Sequence, residues 1–97
     1  MDERRDFEAE ARAAVASEVA AAEHILRERG LALGPLELPR GSDPINGADD
    51  SELRIYVYRD GNLCDALETF VWRNGKPAAT VSELAEWFRA ELAALVP

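Results

Sequence analysis

The sequence predicts a single α+β domain with the element order α-β-β-β-α, in which an antiparallel sheet is centred on one β-hairpin. Three observations predict it. Apolar residues recur at three- and four-residue steps near both ends of the chain. Between them, two runs rich in β-branched and aromatic residues flank the turn dipeptide Asp60-Gly61. The 97 residues, 47% of them hydrophobic, suit one domain with a modest core.

The first element is predicted to be one long helix over about residues 6–29. Its apolar stripe consists of Phe7, Ala11, Val15, Val19, Ala22 and Leu26. Acidic residues cluster near its start, where they favour the helix dipole, and Gly30 is placed to end it. Because the stripe is rich in alanine, it could pack closely against a sheet or against a second copy of itself.

The segment after this helix is predicted to hold one short strand and a long loop. Leu36, Glu37 and Leu38 lie between Pro35 and Pro39, as in a protected edge strand. Residues 39–52 are acidic and rich in turn-forming residues, which predicts a mobile loop or a binding loop.

The last element is predicted to be a helix over about residues 81–95. Thr80 and Glu83 have the spacing of a capping box, in which each side chain satisfies a backbone N–H of the other residue. One face of the helix is then apolar at helical spacing, through Val81, Leu84, Phe88, Leu92 and Leu95.

The hairpin over about residues 53–73 has two candidate registers. A two-residue turn at Asp60-Gly61 places Tyr56 opposite Asp65, whereas a three-residue loop places Arg54 opposite Glu68 and moves Asp65 to the face of Ile55. We favour the first register, because the second puts a carboxylate among apolar side chains. The covered face is then predicted to carry Leu53, Ile55, Val57, Cys64, Ala66, Phe70 and Trp72. The outward face is predicted to carry Arg54, Tyr56, Tyr58, Leu63, Asp65, Leu67 and Thr69.

The charge of the chain limits the classes of partner. Its net charge is −8, from 19 acidic and 11 basic residues, and Lys76 is its one lysine. Binding to nucleic acid or to an anionic membrane needs clustered basic residues, so neither is expected. An acidic surface instead favours a protein partner with a basic surface.

Residues that could support catalysis or metal binding are few. His24 and Cys64 are the only residues of their kinds, and we expect a surface or boundary histidine and a buried cysteine. Five residues of the loop region could suggest a calcium site but lack EF-hand spacing: Asp43, Asn46, Asp49, Asp50 and Glu52. Asp65 and Glu68 would point to opposite faces of a strand. We therefore expect no enzyme activity, no cofactor and no metal.

The remaining candidate is a protein-binding surface. The outward face of the hairpin is predicted to offer Arg54, Tyr56, Tyr58 and Asp65, with an acidic rim from Asp43, Asp49 and Asp50. The predicted function is a non-catalytic binding module of the inhibitor, immunity-protein or antitoxin type. The alternative is a homodimeric adaptor resembling a secretion chaperone in its mode of action, so the expected state is a monomer or a homodimer.

The expected location is the cytoplasm of a bacterial cell. The chain has one cysteine, which fits a reducing compartment. The first residues lack the apolar segment of a secretory signal, and no apolar run is long enough to cross a bilayer.

Overall fold

The α+β class and the predicted element order are confirmed. The structure is a computed structural model that describes residues 2–42 and 49–96. In chain order the elements are helix α1 (Glu3–Glu28), strands β1 (Leu31–Leu33), β2 (Arg40–Ser42), β3 (Asp49–Arg59), β4 (Asn62–Arg73) and β5 (Lys76–Pro77), and helix α2 (Val81–Ala94).

Helix α1 is 26 residues long and starts three residues earlier than the sequence predicts. Asp2 explains the earlier start, because its side chain accepts a hydrogen bond from the backbone N–H of Arg5 at 3.1 Å. The helix ends as predicted, with Gly30 at a φ of +81°. Ala11, Val15 and Leu26 of the predicted stripe are fully buried.

The long strands β3 and β4 form the centre of an antiparallel sheet with the strand order β1-β3-β4-β5. The chain from β1 to β2 runs along the other edge of β3. Within it β1 pairs with residues 57–59, Glu37 forms a single bridge with Arg54, and β2 pairs with residues 49–51.

Two predictions for this region are therefore corrected. Residues 36–38 form one bridge rather than a strand, because the prolines on either side interrupt the pairing. The segment predicted as a loop over 39–52 contributes β2 and the start of β3. Its residues 43–48 lie outside the described residues.

Both helices pack on the same face of the sheet. Leu53, Ile55 and Val57 project from β3 into a core that also contains Phe88 of α2. Leu67 and Val71 supply the β4 side of this core. The opposite face of the sheet has no helix on it among the described residues, so that face is the one available to a partner.

Helix α2 begins with the predicted capping box. The backbone N–H of Glu83 donates to Thr80 Oγ1 at 3.1 Å, and the Glu83 carboxylate accepts from the N–H of Thr80 at 3.0 Å. The hydrogen bond from the Thr80 backbone holds the pKa of Glu83 below its usual value. Leu84, Phe88 and Leu92 of the predicted apolar face are buried.

Replacing Thr80 with alanine should lower the free energy of unfolding by about 1 kcal/mol, because the variant leaves the N–H of Glu83 without its acceptor. Urea denaturation of the two proteins measures this difference. Ser82→Ala, at the second residue of the helix, is the matched control and should leave stability within about 0.5 kcal/mol. Equal stability of Thr80→Ala and the parent would show that the cap contributes nothing.

The two-residue turn of the hairpin is confirmed, but the predicted register beyond it is wrong. Asp60 and Gly61 have φ values of +53° and +79°, and Arg59 pairs with Asn62. Tyr58 then pairs with Leu63, whereas Val57 pairs with Asp65. Cys64 is the extra residue of a β-bulge, which shifts residues 65–70 of β4 by one position. A second irregularity, between Ser51 and Glu52, shifts Trp72 by one position more.

The bulge exchanges the faces of several β4 residues. Leu67 lies opposite Ile55 and is buried, whereas it was predicted to face outward. Phe70 and Ala66 pair with residues of the outward face, and Cys64 is exposed, so none of these three belongs to the core. The prediction for Trp72 is confirmed, because it is buried. A bulge thus keeps the tight turn and also places Leu67, rather than Ala66, opposite Ile55.

Candidate protein-binding face

The face of the sheet opposite the helices is the candidate site, and we call it the outer face. Alternation along β3 directs every second side chain to it, and the register shift selects the β4 residues that join them. Its members are Glu52, Arg54, Tyr56 and Tyr58 of β3 and Leu63, Ala66, Glu68 and Phe70 of β4.

Arg54 is the centre of the polar contacts on this face. Its Nε donates to Glu68 Oε2 at 2.7 Å, and its Nη2 donates to Glu52 Oε2 at 3.2 Å. Nη1 lies 3.4 Å from the hydroxyl of Tyr56, and the guanidinium carbon lies 5.9 Å from the centre of that ring. One arginine therefore positions two carboxylates and a tyrosine.

These contacts fix both the charge and the orientation of the group. The hydrogen bond to Glu68 is the main reason that the pKa of Arg54 is raised above its usual value. One positive and two negative side chains leave a local charge of −1. The outer face thus presents the carboxylates of Glu52 and Glu68 to a partner, and Arg54 is already paired.

The two tyrosines differ in how freely they can contact a partner. Tyr58 packs against the chain between β1 and β2, since a methyl group added at Gly34 would lie 3.3 Å from the Tyr58 ring. Tyr56 lies beside Arg54 and opposite the small side chain of Ala66. Both rings are half-buried. The small side chain of Ala66 leaves space next to the Tyr56 ring for a side chain of a partner.

The predicted partner-binding residues are only partly brought together. Arg54, Tyr56 and Tyr58 share the outer face, as predicted. Asp65 pairs with Val57 on the helix side of the sheet, so its predicted place on the outer face is wrong. It stays exposed near the hairpin tip, and its carboxylate accepts a hydrogen bond from the N–H of Ala66 at 2.8 Å.

The predicted acidic rim lies at the other end of β3. Asp49 is the first residue of that strand, and Asp50 pairs with Gly41 and is half-buried. Asp43 falls outside the described residues. Two of the three predicted rim residues, Asp49 and Asp50, therefore lie in β3, and their role in binding a partner stays a prediction.

Near this end of the sheet, a buried ionic cluster joins α1 to β2. Glu8 is 3% exposed, and its carboxylate contacts Arg40 at 2.6 Å and Arg4 at 3.3 Å. Burial opposes its ionisation, but the hydrogen bonds from Arg4 and Arg40 outweigh burial and hold the pKa of Glu8 below its usual value. This cluster fixes the position of the β2–β3 pair relative to the helix.

The described residues show no arrangement typical of a catalytic or metal site. His24 is an exposed surface histidine, as predicted, and lies 3.0 Å from Glu28. Within residues 2–42 and 49–96 no group of three or more metal-ligating side chains comes together. In the same part of the chain, neither helix has the length and hydrophobicity needed to cross a bilayer.

Four members of the outer face were missed by sequence reasoning: Glu52, Ala66, Glu68 and Phe70. The signal for Glu68 was present, because a register that pairs Arg54 with Glu68 joins opposite charges across the strands. That register was linked to a longer turn, whereas the structure combines it with the two-residue turn through the bulge at Cys64.

Comparison with known proteins identifies no relative of this chain. No protein-family model, no curated protein and no solved structure matches the chain. The residues of the outer face and the charge of the chain are therefore the guides to its function.

Proposed function

We propose that this chain is a non-catalytic protein-binding module that occupies a basic surface of a partner protein through its outer face. The observation that carries the proposal is the uncovered sheet face with Tyr56 beside an arginine whose charge is already paired. Aromatic residues and arginine are the types enriched at the centres of protein interfaces. The surrounding carboxylates and the net charge of −8 fit a basic partner.

The physical type is that of small acidic inhibitors such as immunity proteins and antitoxins. Such proteins act by covering a surface, so they need a rigid face and complementary charge rather than a catalytic group. A cytoplasmic, bacterial setting belongs to the same proposal. The support for the inhibitor proposal is that this chain shares the small size and the acidic charge of such proteins.

Replacing Tyr56 with alanine should weaken partner binding by about 2 kcal/mol and leave the fold intact. The ring lies on the outer face and not in the core, so the melting temperature should change little. The measurement pairs the melting temperature with capture of partner proteins from an extract of the source cells.

Ile25→Ala is the matched control, because Ile25 is an exposed apolar residue of α1 on the helix side of the molecule. A partner that binds the parent and Ile25→Ala but not Tyr56→Ala supports the proposal. Loss of the fold in Tyr56→Ala, or equal capture by all three proteins, contradicts it.

The affinity for the captured partner should fall as salt is added, because the acidic face attracts a basic surface through charges that salt screens. Isothermal titration at low and high ionic strength measures this dependence. An affinity that does not change with salt would point to a purely apolar contact and would contradict the basic-partner proposal.

A homodimeric adaptor is the second candidate, and one observation favours it. An apolar groove of about 480 Å³ lies between α1 and α2, with Ile25 at 45% exposure on its wall. A second copy seated there would double the mass measured by light scattering, and Ile25→Asp would restore the monomer. A monomeric mass for the parent protein excludes this candidate.

A further inference from the structure

The free edge of β4 carries an inference about the form of the partner. β4 has 12 residues, yet β5 pairs with it only at Trp72 and Arg73. Among the described residues no other strand lies along residues 62–70 on that side. The backbone N–H and C=O groups of residues 62–70 that point to this side therefore have no partner strand among the described residues.

The hydrogen bonds of β3 identify which residues point outward. The N–H and C=O of Arg54 both bond to Glu37, at 2.9 and 2.8 Å, so Arg54 directs its backbone groups away from β4. In an antiparallel ladder successive residues alternate in this direction. Ile55 and its partner Leu67 hence bond to each other, and Ala66 and Glu68 direct their N–H and C=O groups to the free edge.

One of these groups already has a substitute partner. The outward N–H of Ala66 donates to the Asp65 carboxylate at 2.8 Å, in the place that a carbonyl of an added strand would take. The Ala66 C=O and both backbone groups of Glu68 remain at the edge. These groups have the two-residue spacing that an incoming strand requires.

A pocket beside this edge selects the side chain that the added strand would carry. The pocket, about 430 Å³, lies between Thr69 and the first turns of α2. Leu84 and Trp87 line it with apolar and aromatic surface, and Glu83 and Glu86 make it acidic. Because Glu83 is used in the capping box, Glu86 is the acid available to a ligand.

We propose that an extended segment of the partner protein adds to the free edge of β4 and places a lysine or arginine in the pocket beside Thr69. A residue of the added strand next to Thr69 projects to the helix side, where the pocket opens. The stem of a basic side chain packs on Leu84 and Trp87, and its charge reaches Glu86. A second copy of this chain fits less well, because each copy carries a net charge of −8.

This inference rests on the proposed function only in taking the ligand to be a protein. The test uses the full chain, labelled for NMR, and a capped peptide of alternating valine and threonine with a central lysine. A matched peptide has glutamate in place of the lysine. Binding of the lysine peptide should shift and protect the amides of Ala66 and Glu68, and the glutamate peptide should bind at least about tenfold more weakly.

Two protein variants separate the backbone pairing from the pocket. Glu68→Pro removes an outward N–H without removing a bond to β3, and should abolish peptide binding, whereas Glu68→Ala keeps the N–H and should bind the peptide. Glu86→Gln should weaken the lysine peptide about three- to tenfold and leave the glutamate peptide no weaker. The melting temperature of each variant reports whether it folds.

Four results would overturn the inference. Two concern the parent protein: no binding of the lysine peptide at millimolar concentration, or peptide-induced amide shifts at Tyr56 without shifts at Ala66 and Glu68. The other two concern the variants: equal peptide binding by Glu68→Pro and Glu68→Ala, or a doubled mass of the parent that Glu68→Pro abolishes. The last would make a second copy the occupant. If Tyr56→Ala still loses the captured partner while the β4 variants keep it, the edge inference fails and the proposed function stands.

Discussion

Replacing Phe88 with alanine should lower the free energy of unfolding by about 3–5 kcal/mol. The Phe88 side chain is fully buried, and its ring packs edge-on against Trp87 with the ring centres 4.9 Å apart. It projects from α2 into the core formed by the helices and the covered face of the sheet. Truncation leaves a cavity between these layers, and the expected cost is a large part of the roughly 5–15 kcal/mol that stabilises a domain.

Urea denaturation followed by circular dichroism measures this cost. Leu63→Ala is the matched control, since Leu63 is 59% exposed near the hairpin tip and its truncation should change stability by less than about 0.5 kcal/mol. A loss below about 1 kcal/mol for Phe88→Ala would mean that α2 does not pack on the sheet as described.

The second large effect is expected at Glu8. Replacing it with glutamine should cost about 1–3 kcal/mol near neutral pH, because a buried carboxylate that binds two arginines through charge-assisted contacts is lost. Glu10→Gln is the matched control, as it removes one acid from an exposed position of the same helix.

The cost of Glu8→Gln should depend on pH in a defined direction. The pKa of Glu8 in the folded protein lies below its ordinary value of 4.5, so its ionised form stabilises the fold above that value. This contribution is lost as the pH falls through the lowered pKa. The difference in unfolding free energy between the parent and Glu8→Gln should therefore shrink below pH 4.5.

Comparing the parent with Glu8→Gln, rather than following the parent alone, is necessary because other carboxyls also have lowered pKa values. The guanidinium of Arg89 lowers the pKa of Glu18, and the Arg5 backbone lowers that of Asp2. The parent should lose stability in acid for these reasons as well. A difference between parent and variant that stays constant from neutral pH to pH 3 would contradict the role assigned to the Glu8 carboxylate.

The helices and the turns could be predicted because their signals are local. The Thr80 and Glu83 spacing determines a cap within four residues, and Asp60-Gly61 adopts the positive φ values that its turn type requires. The apolar periodicity of α1 and α2 likewise predicted which residues enter the core.

The register of β4 could not be predicted because a single inserted residue decides it. Cys64 is neither glycine nor a turn former, so the sequence carries no local mark of the bulge there. The bulge is favoured by contacts distant in sequence, the burial of Leu67 opposite Ile55 and the pairing of Glu68 with Arg54. Strand β2 depends on tertiary contacts in the same way, since Arg40 is held by Glu8.

This shift also explains why the candidate site was predicted in part. Arg54, Tyr56 and Tyr58 lie on β3, whose alternation is continuous, so their common face followed from the sequence. For the residues of β4 beyond the bulge, the prediction of which face each side chain lies on depended on the register. The same holds for Asp65.

The two edges of the sheet differ, and the difference limits how many molecules can join by strand pairing. On the β3 side the pairing is carried by two three-residue strands and one bridge, interrupted by Pro35 and Pro39. Such an edge offers no continuous template, whereas residues 65–70 of β4, beyond the bulge at Cys64, form one that contains no proline. A sheet that can be extended from one side only binds one added strand directly, so each molecule is expected to bind one partner strand and not to link two partners in a row.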